Sequence, residues 1–363
     1  MVGRRRGSCL CWATIGSSSS NGRALMTKIL DRPINRHAKI LGVGGYRPSR
    51  VVSNAEICTI IESTDEWIRE RSGIEERRWA TNKESVVDMA EGAARVALER
   101  SGISIDQIDT VIVATVTYPY QTPSAATELI ARLGNPKAGA FDISVACAGF
   151  CYGVGMANDF VRAGSANYVL VVGVEKLTDF FDPQDRTVSF LFADGAGAVV
   201  IGPSDTPGIG PTTWGADAES RHAILQKSSW LALKEGHADR NPDLDWPDIQ
   251  MIGQTVFRWA VWQMVPVAKK ALEDAGITAQ QLDVFIPHQA NARIIDAMVK
   301  ALDLPATIPV ARDIRRSGNT SAASIPLAME AMLESGEAKS GDTALLIGFG
   351  AGLVYAAQVV ILP

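Results

Sequence analysis

Two stretches of this sequence recur at one spacing, and that spacing limits the fold more than any composition does. "ALERSGISIDQID" at 97–109 and "ALEDAGITAQQLD" at 271–283 agree at Ala, Leu, Glu, Gly, Ile, Gln and Asp, an offset of 174 residues. Each runs into an apolar stretch, "TVIVATV" in one case and "VFIPHQ" in the other. Further on, "NYVLVVG" at 167–173 and "TALLIG" at 343–348 close on matching glycines, an offset of 175 residues. A shared helix-turn-strand habit would explain one such match but not two at one spacing. The chain therefore reads as a duplicated domain, with a first half over 38–205 and a second over 206–363. The turn-rich "PSDTPGIGPTT" at 203–213 is the joint.

Each half runs helix, glycine turn, buried strand, loop, helix, buried strand. Apolar residues recur every three or four positions in "AKKALEDAGI" and "IPLAMEAMLESG", the spacing of helices with one buried face. The strands are unbroken Val/Ile/Leu runs, as expected where both faces of a sheet are covered. The class is α/β with layered architecture. The polar stretch "LKEGHADRNPDLDWPD" at 233–248 reads as a loop or flap.

Composition removes several functions. A net charge of -5 offers no basic face for nucleic acid. No apolar run reaches the ~18–20 residues of a membrane helix. The five cysteines are an odd, sparse set, which argues for a reducing, cytoplasmic setting and against a disulfide framework. Neither a paired CxxC nor HExxH occurs, so no metal site and no cofactor is expected. The first residues are rich in Arg, Ser and Gly and resemble a transit peptide. The simpler reading is an N-terminal extension over 1–37, disordered or preceding an internal start at Met26. Cys9 and Cys11 lie there, outside the chemistry.

The chemistry collects where the halves correspond. "FDISVACAGFCYGVGMANDFVRAGS" and "ARDIRRSGNTSAASIPLAMEAMLESG" both read strand, small-residue turn, helix. Cys147 then sits at a helix N-terminus, with Asn319 and Ser321 at the equivalent start. Free N–H groups and the dipole end favour thiolate there, so a lowered thiol pKa is expected. Flanking Ala and Gly leave room beside the sulfur. Cys151, one turn on, is read as packing. His288 follows a buried strand in "DVFIPHQAN", and the glycines of "GFGAGL" at 348–353 follow another, where backbone N–H groups could meet an oxyanion. A Cys/His/Asn set with oxyanion donors suits covalent thioester chemistry and equally a cysteine hydrolase.

From about residue 38 to the end the chain resembles the β-ketoacyl-[acyl-carrier-protein] synthase III family, most of all its actinobacterial members. The motifs are "STDEWIRERSGI", "DISVACAGF", "FDPQDRTVSFLFADGAGAV", "PHQANARII", "SGNTSAASIP" and "GFGAGLVYA". The resemblance implies a thiolase-like, five-layered αβαβα fold of two similar halves. It implies a decarboxylative condensation of an acyl-CoA primer with malonyl-acyl-carrier-protein, initiating fatty acid synthesis. By the same resemblance Cys147 is the nucleophile, and His288 with Asn319 stabilises the enolate left by decarboxylation. The backbone N–H groups of Cys147 and Ala351 are the oxyanion hole; relatives often have Gly at the latter position, and Ala serves if its φ is negative.

Trp67 and Arg186 match the pair that holds the CoA adenine. Arg71 and Asn291 match contacts to the rest of CoA. Arg293 and Lys300, seven apart on one helix, match a docking face for the acidic carrier protein. A homodimer is expected, since the family's acyl pocket is closed from the neighbouring subunit. Acetyl-specific members place a bulky Phe before the Pro of "PSAA"; here that residue is Thr122, which points to branched or longer primers. The rival readings are a priming ketosynthase of polyketide synthesis, a cysteine-dependent thioester hydrolase, and a non-catalytic relative that serves as a binding partner. The intact Cys147, His288 and Asn319 argue against the last.

Overall fold

The computed structural model describes residues 36–239 and 246–363. The expected extension lies outside these residues as far as position 35, and so do positions 240–245 of the polar stretch. Arg36 and His37, placed at the end of that extension, are already part of the fold. Arg36 donates from Nη2 to the Ala166 carbonyl at 2.7 Å, and His37 opens the first strand.

The first half builds a five-stranded sheet from β1 (His37–Tyr46), β2 (Ile108–Ala114), β3 (Gly139–Ile143), β4 (Tyr168–Lys176) and β5 (Asp194–Ser204), in the order β1-β5-β4-β2-β3. Strand β2 runs parallel to β3 and β4, whereas β5 is antiparallel to β4 and β1. The second half repeats this with β6 (Thr213–Ala216), β7 (Val284–Pro287), β8 (Thr343–Gly350) and β9 (Val354–Ile361), in the order β6-β9-β8-β7. Again β7 and β8 are parallel, and β9 is antiparallel to both neighbours. Val310 bridges Phe285 in parallel fashion, in the place that β3 holds beside β2. Strand order and direction thus carry the duplication that two short sequence matches announced.

Alternation along the strands sorts side chains into layers. Val111 and Val113 of β2 join an outer core with α1 (Val86–Ser101) and α2 (Ala125–Leu133). Ile112 between them faces the other way, into the central core with α3 (Gly149–Ala163). In the second half Val284 and Ile286 reach the same central core, whereas Phe285 joins α4 (Gly253–Asp274) and α5 (Ala292–Ala301) outside. The remaining central helix, α6 (Ser324–Ser335), lies beside α3. The layers are therefore helix, sheet, paired central helices, sheet, helix, the expected αβαβα arrangement. Each fully buried large side chain, such as Phe150, Phe285 or Leu129, contributes roughly 1.5–3 kcal/mol by leaving water.

The helix ends explain the repeat's fixed residues. Ser85 and Asp88 form a reciprocal capping box at the start of α1, and Gly102 closes it at φ 67°. Gly276, its counterpart, lies just after α4 at φ 71°. The expected flap begins differently from a loop. Residues Trp230–Ala238 are helical because the Ser229 hydroxyl accepts the Ala232 N–H at 3.0 Å. The strand that follows, Ile249–Met251, pairs antiparallel with Ile224–Gln226.

Candidate active site

Strand β3 ends at Ile143, and the chain enters α3 through a tight turn at Ala146–Ala148. In the second half the turn Ser321–Ala323 leads into α6. Ala146 and Ser321, again 175 positions apart, both adopt positive φ, 44° and 49°. Left-handed backbone at non-glycine residues costs of order 1–3 kcal/mol each. The strain buys a sharp corner that puts Cys147 on the central cavity rather than in the helix packing. The two corners meet: a Cβ on Gly149 would lie 3.7 Å from the Ala322 Cβ.

Cys147, His288, Asn319, Ser321 and Ala351 line one cavity of about 460 Å³, a size suited to a small acyl chain and the arm that delivers it. Arg71, Asn291 and Arg293 line the same cavity, as does Arg258, which the sequence reading missed. Cys147 keeps part of its surface open, and that surface belongs to the cavity rather than to bulk solvent. Gly350 passes close by. A Cβ there would stand 3.0 Å from Sγ and 2.8 Å from the Cys147 nitrogen, so only glycine leaves the thiol its space. Ala351 follows with φ outside the positive region, which meets the condition for Ala at that place.

Burial opposes the expected low thiol pKa. It pushes Cys147 up to about 12, the Ser321 hydrogen bond pulls it down, and the charge of Glu175 adds to the rise. The helix N-terminus works against burial and the Glu175 charge without removing the need for a proton acceptor. Cys151 is fully buried in the central core, away from this chemistry.

His288 is buried, and burial pushes its pKa down to about 3, so the imidazole is neutral at working pH. Its Nδ1 lies 2.6 Å from the Ser324 Oγ, the first residue of α6. That oxygen already accepts the Gln289 N–H at 3.3 Å. We therefore assign the hydroxyl proton to the bond with Nδ1, which leaves Nε2–H as a donor. No carboxylate hydrogen-bonds the ring among the described residues.

Asn319 is held from three sides. Its N–H donates to Leu191 O (2.8 Å), its carbonyl accepts from Ala193 N (3.0 Å), and its Oδ1 accepts the Ser321 N–H (2.9 Å). The amide oxygen is therefore committed, and the NH2 group is the free donor. Two neutral donors thus border the cavity that holds the sulfur.

The outer residues are placed as follows. Arg186 stacks its guanidinium 4.6 Å from the Trp67 ring centroid, and Arg71 lies 6.0 Å from it. Trp67 packs edge-on to Phe190, which lines the cavity, so the pair stands one side chain outside the lining. Asn291 caps α5 and donates from Nδ2 to Arg71 O at 2.8 Å, tying two expected CoA contacts together. Arg293 lies over Phe257, and Lys300 is exposed further along α5. Thr122 is exposed and takes no part in its own chain's cavity.

Sequence reasoning also missed Glu175 and Ser324. A carboxylate inside the apolar run "LVVGVEK" was the one visible signal for the first. Among the described residues no group of three or more His, Cys, Asp or Glu could hold a metal ion, and no helix is long and apolar enough to cross a membrane.

Comparison with known proteins agrees with this geometry. Residues 141–218 match the family described as 3-oxoacyl-[acyl-carrier-protein (ACP)] synthase III, and residues 272–362 match its C-terminal region. The β-ketoacyl-[acyl-carrier-protein] synthase III of Streptomyces glaucescens is 56% identical over 93% of this chain and 100% of its own length. The enzyme of the same name from Kocuria rhizophila is 51% identical over 90% of this chain and 97% of its own. Among solved structures, the priming β-ketosynthase of the R1128 polyketide pathway superposes with a TM-score of 0.88 at 47% identity, covering 92% of this chain and 98% of that one. The Aquifex aeolicus 3-oxoacyl-[acyl-carrier-protein] synthase III gives 0.82 at 37% identity, covering 89% and 99%. With the fold, both family regions and full-length relatives in agreement, the chain belongs to the β-ketoacyl-[acyl-carrier-protein] synthase III family.

Proposed function

We propose that this chain condenses an acyl-CoA primer with malonyl-acyl-carrier-protein, releasing CoA and CO2 and leaving a β-ketoacyl-carrier-protein, with Cys147, His288 and Asn319 in the roles that follow. Membership of the family makes it an acyltransferase of the condensing type. Cys147 attacks the thioester carbonyl of the primer and keeps the acyl group. The N–H groups of Cys147 and Ala351 receive the oxyanion that forms. Malonyl-carrier-protein then presents its thioester carbonyl to His288 Nε2–H and Asn319 Nδ2–H. Decarboxylation moves an electron pair into that carbonyl, and the two donors hold the enolate until its carbon attacks the acyl-cysteine.

One observation carries the reading. His288 is neutral, buried and hydrogen-bonded to a hydroxyl rather than to a carboxylate. A hydrolase built on the Cys/His/Asn set needs His288 as the base for water, and a ring held near pKa 3 with its proton on Nε2 does not supply one. A fixed neutral donor facing a developing enolate is what decarboxylation needs.

Recognition of the substrates follows the chemistry of the mouth. The Trp67–Arg186 pair takes the adenine by parting around it, and Arg71 with Asn291 meets the rest of CoA. Arg293 and Lys300 on α5 face the acidic carrier protein, joined at the cavity edge by Arg258. The chain acts as a homodimer in the cytoplasm. Thr122, outside its own cavity, closes the partner's acyl pocket and leaves it deep enough for branched or longer primers.

Mass spectrometry after mixing with acyl-CoA, then with malonyl-carrier-protein, tests the proposal. Acylation at Cys147 followed by a β-ketoacyl product is expected. A Cys147→Ser variant that acylates as fast as the wild type would overturn it. The likeness to the priming β-ketosynthase favours a second reading with the same chemistry but a polyketide carrier protein. Rates with the two kinds of carrier protein separate the two.

A further inference from the structure

The scheme above leaves one proton without a destination. The thiol that burial holds near 12 must lose its proton as the sulfur takes the acyl group. His288 cannot accept it, because Nδ1 is committed to Ser324 and Nε2 already carries hydrogen. Asn319 offers only donors to the cavity.

A carboxylate lies behind the sulfur. Glu175, on β4, is fully buried and has no cationic partner among its hydrogen bonds. Its Oε2 accepts from Thr117 Oγ1 (2.7 Å), Val116 N (3.1 Å) and Thr115 Oγ1 (3.2 Å). Its Oε1 accepts from Ser321 Oγ at 3.3 Å, and Ser321 lines the same cavity as Cys147, whose thiolate its hydroxyl favours. Resting on the function proposed above, we propose that Glu175, reached through the Ser321 hydroxyl, takes the Cys147 proton during acylation and returns it after condensation.

The step balances. The Cys147 proton passes to Ser321 Oγ while the Ser321 proton passes to Glu175 Oε1. The S–C bond to the acyl group forms, the C–S bond to CoA breaks, and the CoA thiolate takes a proton from water at the cavity mouth. In the second half-reaction Cys147 leaves as thiolate when the enolate attacks, and the proton returns from Glu175 through Ser321. One turnover thus draws one proton from solvent, as the release of CO2 from a malonyl carboxylate requires.

The surroundings fit a group that cycles between two states. Burial holds Glu175 up at about 7, close to working pH, while four donors keep the ionised form accessible. Cys147 on the turn is the titratable group that faces it. Asp194 on β5 faces Thr178 and the Ala80 N–H, the neighbouring Lys176 turns to Asp179 at 3.3 Å, and His288 is neutral.

The test uses the full-length enzyme and two variants. In Glu175→Gln the amide oxygen can keep the three donors on Oε2 while its NH2 faces Ser321, so the site is conserved except for proton acceptance. Ser321→Ala cuts the path and leaves the carboxylate; the φ of 49° is tolerable for Ala, since Ala146 holds 44° in the matching corner. Wild-type single-turnover acylation of Cys147 should rise with pH through a step near 7. Both variants should lower it by about 10²-fold and flatten the step, with malonyl-carrier-protein decarboxylation kept within about threefold. Acylation at wild-type rate with the step intact overturns the proposal. So does an equal loss of both half-reactions, the mark of a merely structural role. If the wild type itself never acylates at Cys147, the underlying function falls instead.

Discussion

Removing one hydroxyl, in Ser324→Ala, should separate the two half-reactions. Ser324 is buried and stands between His288 Nδ1 at 2.6 Å and the Gln289 N–H at 3.3 Å. Without it Nδ1 has no donor, and the ring is free to carry its proton there. The Nε2 lone pair would then face the cavity where a donor is needed. An unpaired buried acceptor costs about 1–3 kcal/mol. At about 1.36 kcal/mol per tenfold in rate, decarboxylation should slow between about fivefold and about 150-fold. Ala is a good helix former and the deletion is one atom, so the fold should persist. The assay is CO2 release from malonyl-carrier-protein, with acylation of Cys147 by acyl-CoA measured in parallel. Slow decarboxylation beside normal acylation is expected. With His288 held near 3, no imidazole titration should appear in decarboxylation between pH 5 and 8. Decarboxylation at the wild-type rate in Ser324→Ala would refute the assignment of the tautomer.

Other perturbations test separate parts of the site. Gly350→Ala puts a methyl 3.0 Å from the Cys147 Sγ and 2.8 Å from its nitrogen, and acylation measured by mass spectrometry should fall sharply while decarboxylation falls less. Thr122→Phe should cut the rate with branched or longer primers by roughly tenfold or more relative to acetyl-CoA, read from steady-state rates across an acyl-CoA series. Arg293→Glu should raise KM for malonyl-carrier-protein by about tenfold with a smaller effect on kcat, and added salt should raise the wild-type KM in the same direction. Glu175 is protonated in the fold up to about 7, well above its unfolded value, so its contribution to stability is present at low pH and lost as pH rises towards 7. A shift of that size is on the order of 3 kcal/mol, and Glu175→Gln should melt higher than the wild type at pH 8 with the difference gone near pH 4.5.

The repeat was legible because it is written in short-range constraints. Gly102 and Gly276 close their helices with positive φ, and Gly173 and Gly348 lie inside matching buried strands, so the backbone leaves a trace at fixed offsets. From the repeat followed the two facing helix starts, and with them Cys147 and Asn319. What could not be read is what depends on three segments meeting. Glu175 stands out because the segment after β2, strand β4 and the Ser321 corner converge on one carboxylate, and no local pattern encodes that convergence. Ser324 reads as an ordinary first-turn serine until His288 is placed against it. Arg258 gains its meaning from the tertiary position of α4. The thiol pKa was misjudged for the same reason: the helix start is local and visible, whereas burial is global and larger. Thr122 stands exposed on its own chain and outside its cavity, so no contact within one chain speaks to the pocket role proposed for it.

The duplication also explains how the proposed roles divide between the two halves. One corner, at Ala146, carries Cys147, the proposed nucleophile; the matching corner, at Ser321, carries Asn319 and a hydroxyl. Their backbones share the same unusual φ, so the strain that exposes the sulfur in one half positions the polar groups in the other. Across the interface the equivalents differ in chemistry alone: where the second half has Gly350 making room for Cys147, the first has Glu175 at the corresponding strand end. A residue that only had to leave space in one copy became, in the other, a buried acid within reach of the thiol. If that acid is the proton store, the two copies divide the work by substitution at matched positions.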